Sequence, residues 1–370
     1  MNLAGLPHVD RPKSSGLEGV VVADTRLSHV DGERGELIIV GSRAEELALS
    51  EPGHFETVVD RLLELAVGEP QAPVRERLAQ ARLAAFARVP QLEHALALPD
   101  AMDALLAATA QASAGGDGSS VLGALPVYVA AGARLRAGQA PIAPDVTRFV
   151  AEDFLAMLGL PESAAHARAL DAYLVTVSDH GLNASTFAAR VVASTGADVM
   201  PCVVAGLGAL KGPLHGGAPG PVLDMLDATL SVEPRAWLER ELAAGRRIMG
   251  MGHRIYRVRD PRALVFEHAL TRLAANAPAA SGVAERLAHA RRVEQAAEAL
   301  LSERHPGRPL RANVEFYTAL LLEAVGIPRS LFTATFALGR CAGWLAHIEE
   351  QRRTGRLIRP AARYVGQLPD

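Results

Sequence analysis

Residues 170–217 read LDAYLVTVSDHGLNASTFAARVVASTGADVMPCVVAGLGALKGPLHGG, and this stretch decides the fold class. Leu170, Tyr173, Leu174 and Val177 follow the i, i+3, i+4, i+7 spacing of a helix with one buried stripe. A glycine-containing turn interrupts them, and from Ala184 to Leu210 the chain is almost free of charge. Segments apolar on every face form a buried helix pair in a large core or lie against a second subunit.

The same alternation of helix and turn extends in both directions. Leu62, Leu63 and Ala66 predict a short helix that Gly68 and Pro70 stop. Residues 101–114 predict a helix running into a loop at 115–120. The next covers 122–137, with Pro126 near its start where it is tolerated. Alanine richness around 101–140 reads as close helix packing. Further helices are expected at 221–230, 234–245, 262–275 and 282–304, the last with mixed charges and a solvated face. Asn313 caps a helix over 314–325, and Ser330 caps a final long one reaching about Arg353. The only β signal is a hairpin, Gly19–Thr25 with Val20, Val21 and Val22, then the turn Asp31–Gly35 and Glu36–Val40.

Composition bounds the function. A chain of 370 residues has room for two domains. Aromatic residues are only 4%, which with abundant alanine favours helix over sheet. A net charge of -3 excludes a global basic footprint for nucleic acid, so any anion site must come from local arginines. Cys202 and Cys341 lie in apolar stretches and read as buried small hydrophobes, with no disulfide or zinc pattern. Neither a secretion signal nor a membrane-length run occurs, so a cytoplasmic protein is expected, without membrane or nucleic-acid partners.

Three segments place a histidine beside glycine at an element end, where backbone and ligand approach closely: His180-Gly181, His215-Gly216 and Gly252-His253. They are 35 and 38 residues apart with no carboxylate at ligand spacing, so no metal is expected. Acid–base work and hydrogen bonding to a developing enolate or alkoxide suit them better. Gly250-Met251-Gly252, with Arg246, Arg247, Arg254, Arg257 and Arg259 around it, reads as a cradle for phosphates. Arg340, Trp344 and His347 share one face of an apolar helix. A buried arginine there requires a counter-anion, either Glu349 at the surface or, as favoured here, a bound carboxylate. Glu315 sits in the first helical turn after Asn313, where the macrodipole favours its ionised form.

SDHxxNAST (178–186), GALKGPLHGGA (208–218), MGxGHRIY with DPRA (249–263), NVxFY (313–317) and the late R…GW.AH…RP…YVG pattern (340–366) occur in this order. Together they resemble the citrate synthase family, including 2-methylcitrate synthases, from Gly19 to Val365. The resemblance implies an all-α, two-domain homodimer with a short N-terminal β-hairpin. Residues 1–218 and 322–370 would form the large domain, and residues 219–321 a small one closing over substrate. It implies condensation of an acyl-CoA, acetyl-CoA first, with oxaloacetate, the coenzyme A thioester being a co-substrate rather than a resident cofactor.

By that match His215 would hydrogen-bond the thioester oxygen, His253 the oxaloacetate carbonyl, and Glu315 would remove the acyl α-proton. His180, Arg262 and Arg340 would hold the oxaloacetate carboxylates, and Arg359 would reach the partner subunit's site. Met249, Gly250, Met251, Gly252, Arg254 and Arg257 would hold coenzyme A. The chain departs from the family at Glu315, usually Asp, and at Gly181, usually Glu. Pro219 and Gly220 replace Asn-Glu, and Ala319 replaces Gly. A methylene moves a carboxylate by about an ångström, and such misplacement costs on the order of 100-fold in rate.

Overall fold

The computed structural model describes residues 17, 19–50, 54–68, 73–111, 118–216, 219–253, 255–276, 281–307 and 309–367. Helices dominate, and the longest apolar one organises the rest. Phe332–Thr354 is buried on all sides for most of its length, with Trp344, Cys341 and Ile348 inaccessible. Against it pack Phe55–Val67, Gly118–Arg136, Ala164–Val177, Ala184–Ala193 and Val199–Lys211. Leu170, Tyr173, Leu174 and Val177 are fully buried, as their spacing requires. No helix among the described residues is long and apolar enough to cross a membrane.

Ala184–Ala193 and Val199–Lys211 pack on each other, and Cys202 is buried between them and the core. The outer face of the second, at Pro201 and Gly208, stays open and uncharged. Close packing extends to the alanine-rich region. A side chain at Gly123 would stand 2.6 Å from Ala81, and one at Gly132 would meet Leu96 O at 2.9 Å.

The local expectations need four corrections. The first strand is Ser28–Asp31, not Gly19–Thr25. It pairs antiparallel with Glu36–Ile39, which pairs in turn with Ser42–Arg43. The turn dictates this, because Asp31 Oδ1 accepts from the amides of Glu33 and Arg34 and Gly35 takes φ +66°, so the chain reverses directly after Asp31. Val20–Val22 carry the composition of a strand yet remain unpaired and exposed.

Pro126 lies in the interior of the Gly118–Arg136 helix, which starts inside the expected 115–120 loop; residues 112–117 lie outside the described residues. Ser330 falls in a 3-10 turn, Arg329–Leu331, and does not cap the last helix. Val283–Arg304 buries Leu287, Val293, Ala297 and Leu300, so only its opposite face is solvated. Gly68 ends Phe55–Val67 with φ +84°, and Asn313 caps Val314–Ala324 by accepting from the Glu315 amide.

The hairpin touches two distant segments. Ser28 Oγ donates to Asp179 Oδ2 at 2.5 Å and accepts from the Gly181 amide. At its turn Gly32 O accepts from the Arg257 amide, and a side chain at Gly32 would collide with Ile255 O at 2.4 Å.

Candidate active site

The expected side chains arrive from five helices or their ends and from the loop after Gly252. His180 ends the turn after Ala164–Val177 and is buried; His215 follows Val199–Lys211; His253 follows Gly252. Arg262 stands in the first turn of Pro261–Asn276, Glu315 in that of Val314–Ala324, and Arg340 mid-way along Phe332–Thr354. The rings of His180 and His253 are 6.1 Å apart. Arg340 lies over Phe336, 4.7 Å from its centroid, and the ring of His215 packs edge-on to the same Phe336. Arg262 and Arg340 both act electrostatically on His180, His215 and Glu315.

His253 has a defined protonation pattern. Its Nδ1 accepts from the backbone amides of Ile255 and Tyr256, both at 3.0 Å. Nδ1 therefore carries no proton, and the neutral ring bears its hydrogen on Nε2. Burial, then the Arg262 charge, push the pKa down to about 4, which keeps the ring neutral. Nε2 lies 3.3 Å from Arg262 Nη2, a group that only donates. Two donors thus converge with no acceptor between them among the described residues, an arrangement that fits an oxygen of a bound carbonyl or carboxylate.

Arg262 is fixed from behind. Asp260 accepts from its amide, its Nε at 3.0 Å and its Nη2 at 2.8 Å, and also from the Val314 amide that opens the Glu315 helix. One carboxylate therefore registers Arg262 against Glu315.

His215 is half-buried, and burial followed by the Arg340 charge lower its pKa to about 4. Its Nε2 lies 2.8 Å from Ser185 Oγ, which accepts from Trp344 Nε1 at 3.2 Å and donates to Asn183 Oδ1 at 2.7 Å. Glu315 lines the same region, and burial pushes its carboxyl up to about 7 despite the nearby Arg262. Arg340 donates from Nε to Val177 O at 2.7 Å, while its buried Nη2 has no hydrogen-bond partner among the described residues. Burial lowers its pKa to about 10, with Asp179 the main opposing charge. Glu349 pairs with Arg352 and is not the counter-ion of Arg340.

Arg359 does not join this group. It is exposed and lines a cavity of about 790 Å³ between residues 17–26 and the end of Phe332–Thr354. The phosphate cradle also needs correction. The Gly252 amide donates inward to Arg311 O at 2.7 Å, and Gly250 O accepts from the Asn313 amide. Met251 bridges to Ala312 in the same short pairing. Gly250 and Gly252 are required by φ of +75° and +80°, and side chains there would crowd Phe316 and Leu310. Arg246 is paired with Glu241, and Arg259 with Glu267 and Glu294, so neither offers a free charge. Met249 is partly open. Arg257 is exposed near Glu33, and Arg254 lies outside the described residues.

Sequence reasoning assigned no role to Ser185, Tyr256, Asp260 or Phe336. The first three lie inside the quoted motifs, and Phe336 precedes Arg340 by one helical turn. Tyr256 is buried, and its hydroxyl lies 3.1 Å from His180 Nε2.

The stretch that carries these residues is similar to known proteins. Residues 16–361 match the family described as citrate synthase, C-terminal domain. The citrate synthase of Haloferax volcanii is 34% identical over 374 aligned positions, 95% of each chain. A relative from Mycobacterium tuberculosis is 48% identical over 205 residues, 55% of this chain, and the chain spans about half of that relative's length, 52%. The solved ternary complex of carboxymethyl coenzyme A and oxaloacetate with citrate synthase from Thermoplasma acidophilum superposes with a TM-score of 0.83 at 26% identity. It covers 97% of this chain and 98% of its own.

Proposed function

The chain belongs to the citrate synthase family, and from that premise we propose that it condenses acetyl-CoA with oxaloacetate to give citrate and free coenzyme A. One observation carries this reading: His253 Nε2–H and the N–H of Arg262 Nη2 not given to Asp260 converge at 3.3 Å with no acceptor shared between them among the described residues, which suits an oxygen of a 2-oxo dicarboxylate. His180 and Arg340 supply further donors for its carboxylates. The Thermoplasma protein, solved with oxaloacetate and a coenzyme A derivative, supports the same pairing of substrates.

Glu315 removes a proton from the acyl α-carbon while His215 donates to the thioester oxygen, so that an enol forms. The Ser185 hydroxyl donates to Asn183 Oδ1 at 2.7 Å, so for His215 to donate through Nδ1 that single proton must turn from Asn183 to His215 Nε2, 2.8 Å away. The enol carbon bonds to C2 of oxaloacetate as the carbonyl π-bond breaks onto oxygen. The enol proton returns to His215, and the new alkoxide forms against His253 Nε2–H and takes up, through that nitrogen, the proton Glu315 removed, so that each group ends as it began. Water then hydrolyses the thioester, releasing coenzyme A as the thiol.

The domain division at residues 219 and 321 and the homodimer belong to the same proposal. The open, uncharged face of Val199–Lys211 supports a subunit contact, and Arg359, remote from the imidazoles, would act in the partner's site. Met249 and Arg257, with Arg254, remain the proposed coenzyme A contacts.

Glu315 in place of the usual Asp supports a second reading, a longer acyl group such as propionyl or a thioester hydrolysis. The test incubates the protein with oxaloacetate and acetyl-, propionyl- or butyryl-CoA, following thiol release and product mass. Citrate formed fastest from acetyl-CoA supports the first reading. Preference for propionyl-CoA, or thiol release without oxaloacetate, supports the second.

A further inference from the structure

The proposed chemistry leaves His347 unused. It lies seven residues beyond Arg340 on the same helix face and is fully buried. Its Nδ1 lies 2.8 Å from Arg190 Nη1. A guanidinium only donates, so Nδ1 carries no proton and the hydrogen of the neutral ring sits on Nε2. That nitrogen donates to Asp179 Oδ2 at 3.2 Å. Arg190 is held in turn by Glu350 Oε2 at 2.7 Å and Gln351 Oε1 at 3.0 Å. At the other end Asp179 Oδ2 accepts the hydroxyl of Ser28. Gly343 makes this approach possible, since a side chain there would stand 2.7 Å from Asp179 Oδ1.

A buried chain, Glu350–Arg190–His347–Asp179, thus ends near Arg340, whose Nε bonds Val177 O two residues before Asp179 and on which Asp179 is the main opposing charge. Asp179 Oδ1 and Arg340 Nη2 are both buried, and neither has a hydrogen-bond partner among the described residues. A guanidinium in such surroundings needs a negative charge acting on it. That charge must not cover the face that is to receive substrate. Asp179 meets both conditions only while its carboxylate is held by its own donors, Ser28 and His347.

We propose that His347 is a positioning residue for the condensation: its Nε2–H fixes the Asp179 carboxylate that balances Arg340 and leaves Arg340 Nη2 open to a substrate carboxylate. This rests on the reading that Arg340 receives a carboxylate of oxaloacetate. The proposed coenzyme A contacts, Met249, Arg254 and Arg257, lie outside this series of bonds, so the two substrates respond differently to the loss of His347.

The test titrates oxaloacetate calorimetrically into the full-length wild-type protein, His347→Leu and His347→Gln, and measures the KM for acetyl-CoA of each. His347→Leu removes the donor and is expected to weaken oxaloacetate roughly tenfold or more, with the acetyl-CoA KM within about twofold of wild type. Gln can still donate to Asp179, and His347→Gln is expected to restore affinity to within about threefold. Unchanged affinity in His347→Leu overturns the proposal, as does equal loss in both variants, which would indicate packing alone. If His347→Leu does not fold, Ser28→Ala removes the other donor to Asp179 from a partly open strand. Weakening of oxaloacetate by about threefold is then expected, and unchanged affinity overturns the proposal. A wild-type protein that fails to bind oxaloacetate refutes the functional reading and this inference with it. Wild-type binding that His347→Leu retains refutes the inference alone.

Discussion

The phenol oxygen of Tyr256 lies 3.1 Å from Nε2 of His180, and the backbone amide of Tyr256 bonds Nδ1 of His253. One residue therefore orients two of the three site imidazoles. Tyr256→Phe keeps the amide and the ring but leaves a buried imidazole nitrogen without its partner. The stranded group costs about 1–2 kcal/mol, so the oxaloacetate KM should rise about fivefold to thirtyfold, with kcat much less affected. Steady-state kinetics checks this; an unchanged KM would remove the hydroxyl from substrate binding.

Glu315→Gln should abolish thiol release while leaving oxaloacetate binding intact, because the amide keeps the shape but cannot take a proton. Glu315→Asp should retain activity. With the carboxyl at about 7, kcat/KM should fall as pH drops through that value. Near-wild-type turnover in Glu315→Gln would exclude the residue as base.

The same shift has a sign for stability. A carboxyl raised from 4.5 to about 7 binds its proton more tightly in the folded state. That stabilisation is complete below pH 4.5 and is lost as pH rises through 7. Relative to wild type, Glu315→Gln should therefore gain stability as pH rises from 5 to 9, by at most about 3 kcal/mol. Urea unfolding across that range measures it, and a pH-independent difference would contradict the shift.

Asp260 and Arg262 are almost wholly buried and bonded to each other. Arg262→Leu strands the carboxylate and should cost about 3–5 kcal/mol. Asp260 also holds the Val314 amide, so the first turn carrying Glu315 should loosen too. Pairing Arg262→Leu with Asp260→Asn should recover part of the loss in denaturant unfolding, and strictly additive losses would argue against coupling.

Arg359 supplies the test of the dimer. Mixing inactive Arg359→Ala with inactive His253→Ala subunits should restore partial activity, since a hybrid pair contains one intact site. No recovery after verified subunit exchange would place Arg359 outside the partner's site.

Much of the site was legible because its residues carry local punctuation. His180, His215 and His253 sit beside glycines, Glu315 follows a capping Asn, and Arg340 is a charge inside an apolar helix. What resisted reading depends on pairing across the chain. Val20–Val22 have strand composition, yet the turn at Asp31–Gly35 selects Ser28–Asp31 as partner. Arg259 resembled a phosphate ligand until folding brought Glu267 and Glu294 to it. The inward amide of Gly252 depends on Arg311, and Pro126 is tolerated because the packed helix around it outweighs one missing hydrogen bond.

The hairpin over Ser28–Ile39 is synthesised before the residues it bonds, Asp179, Gly181 and Arg257, which follow 151 or more positions later. Until then Glu36–Ile39 has only its local neighbours, Ala44–Leu49 among them, and lacks its contact with Pro261–Asn276. Contacts of such separation form slowly because a long loop must close first. The hairpin thus completes its docking long after it is made, and the two histidine segments it touches acquire their spacing only then. An extension fused at the start of the chain would weigh on that late step, slowing maturation of the site while leaving the helical core to assemble at its own pace.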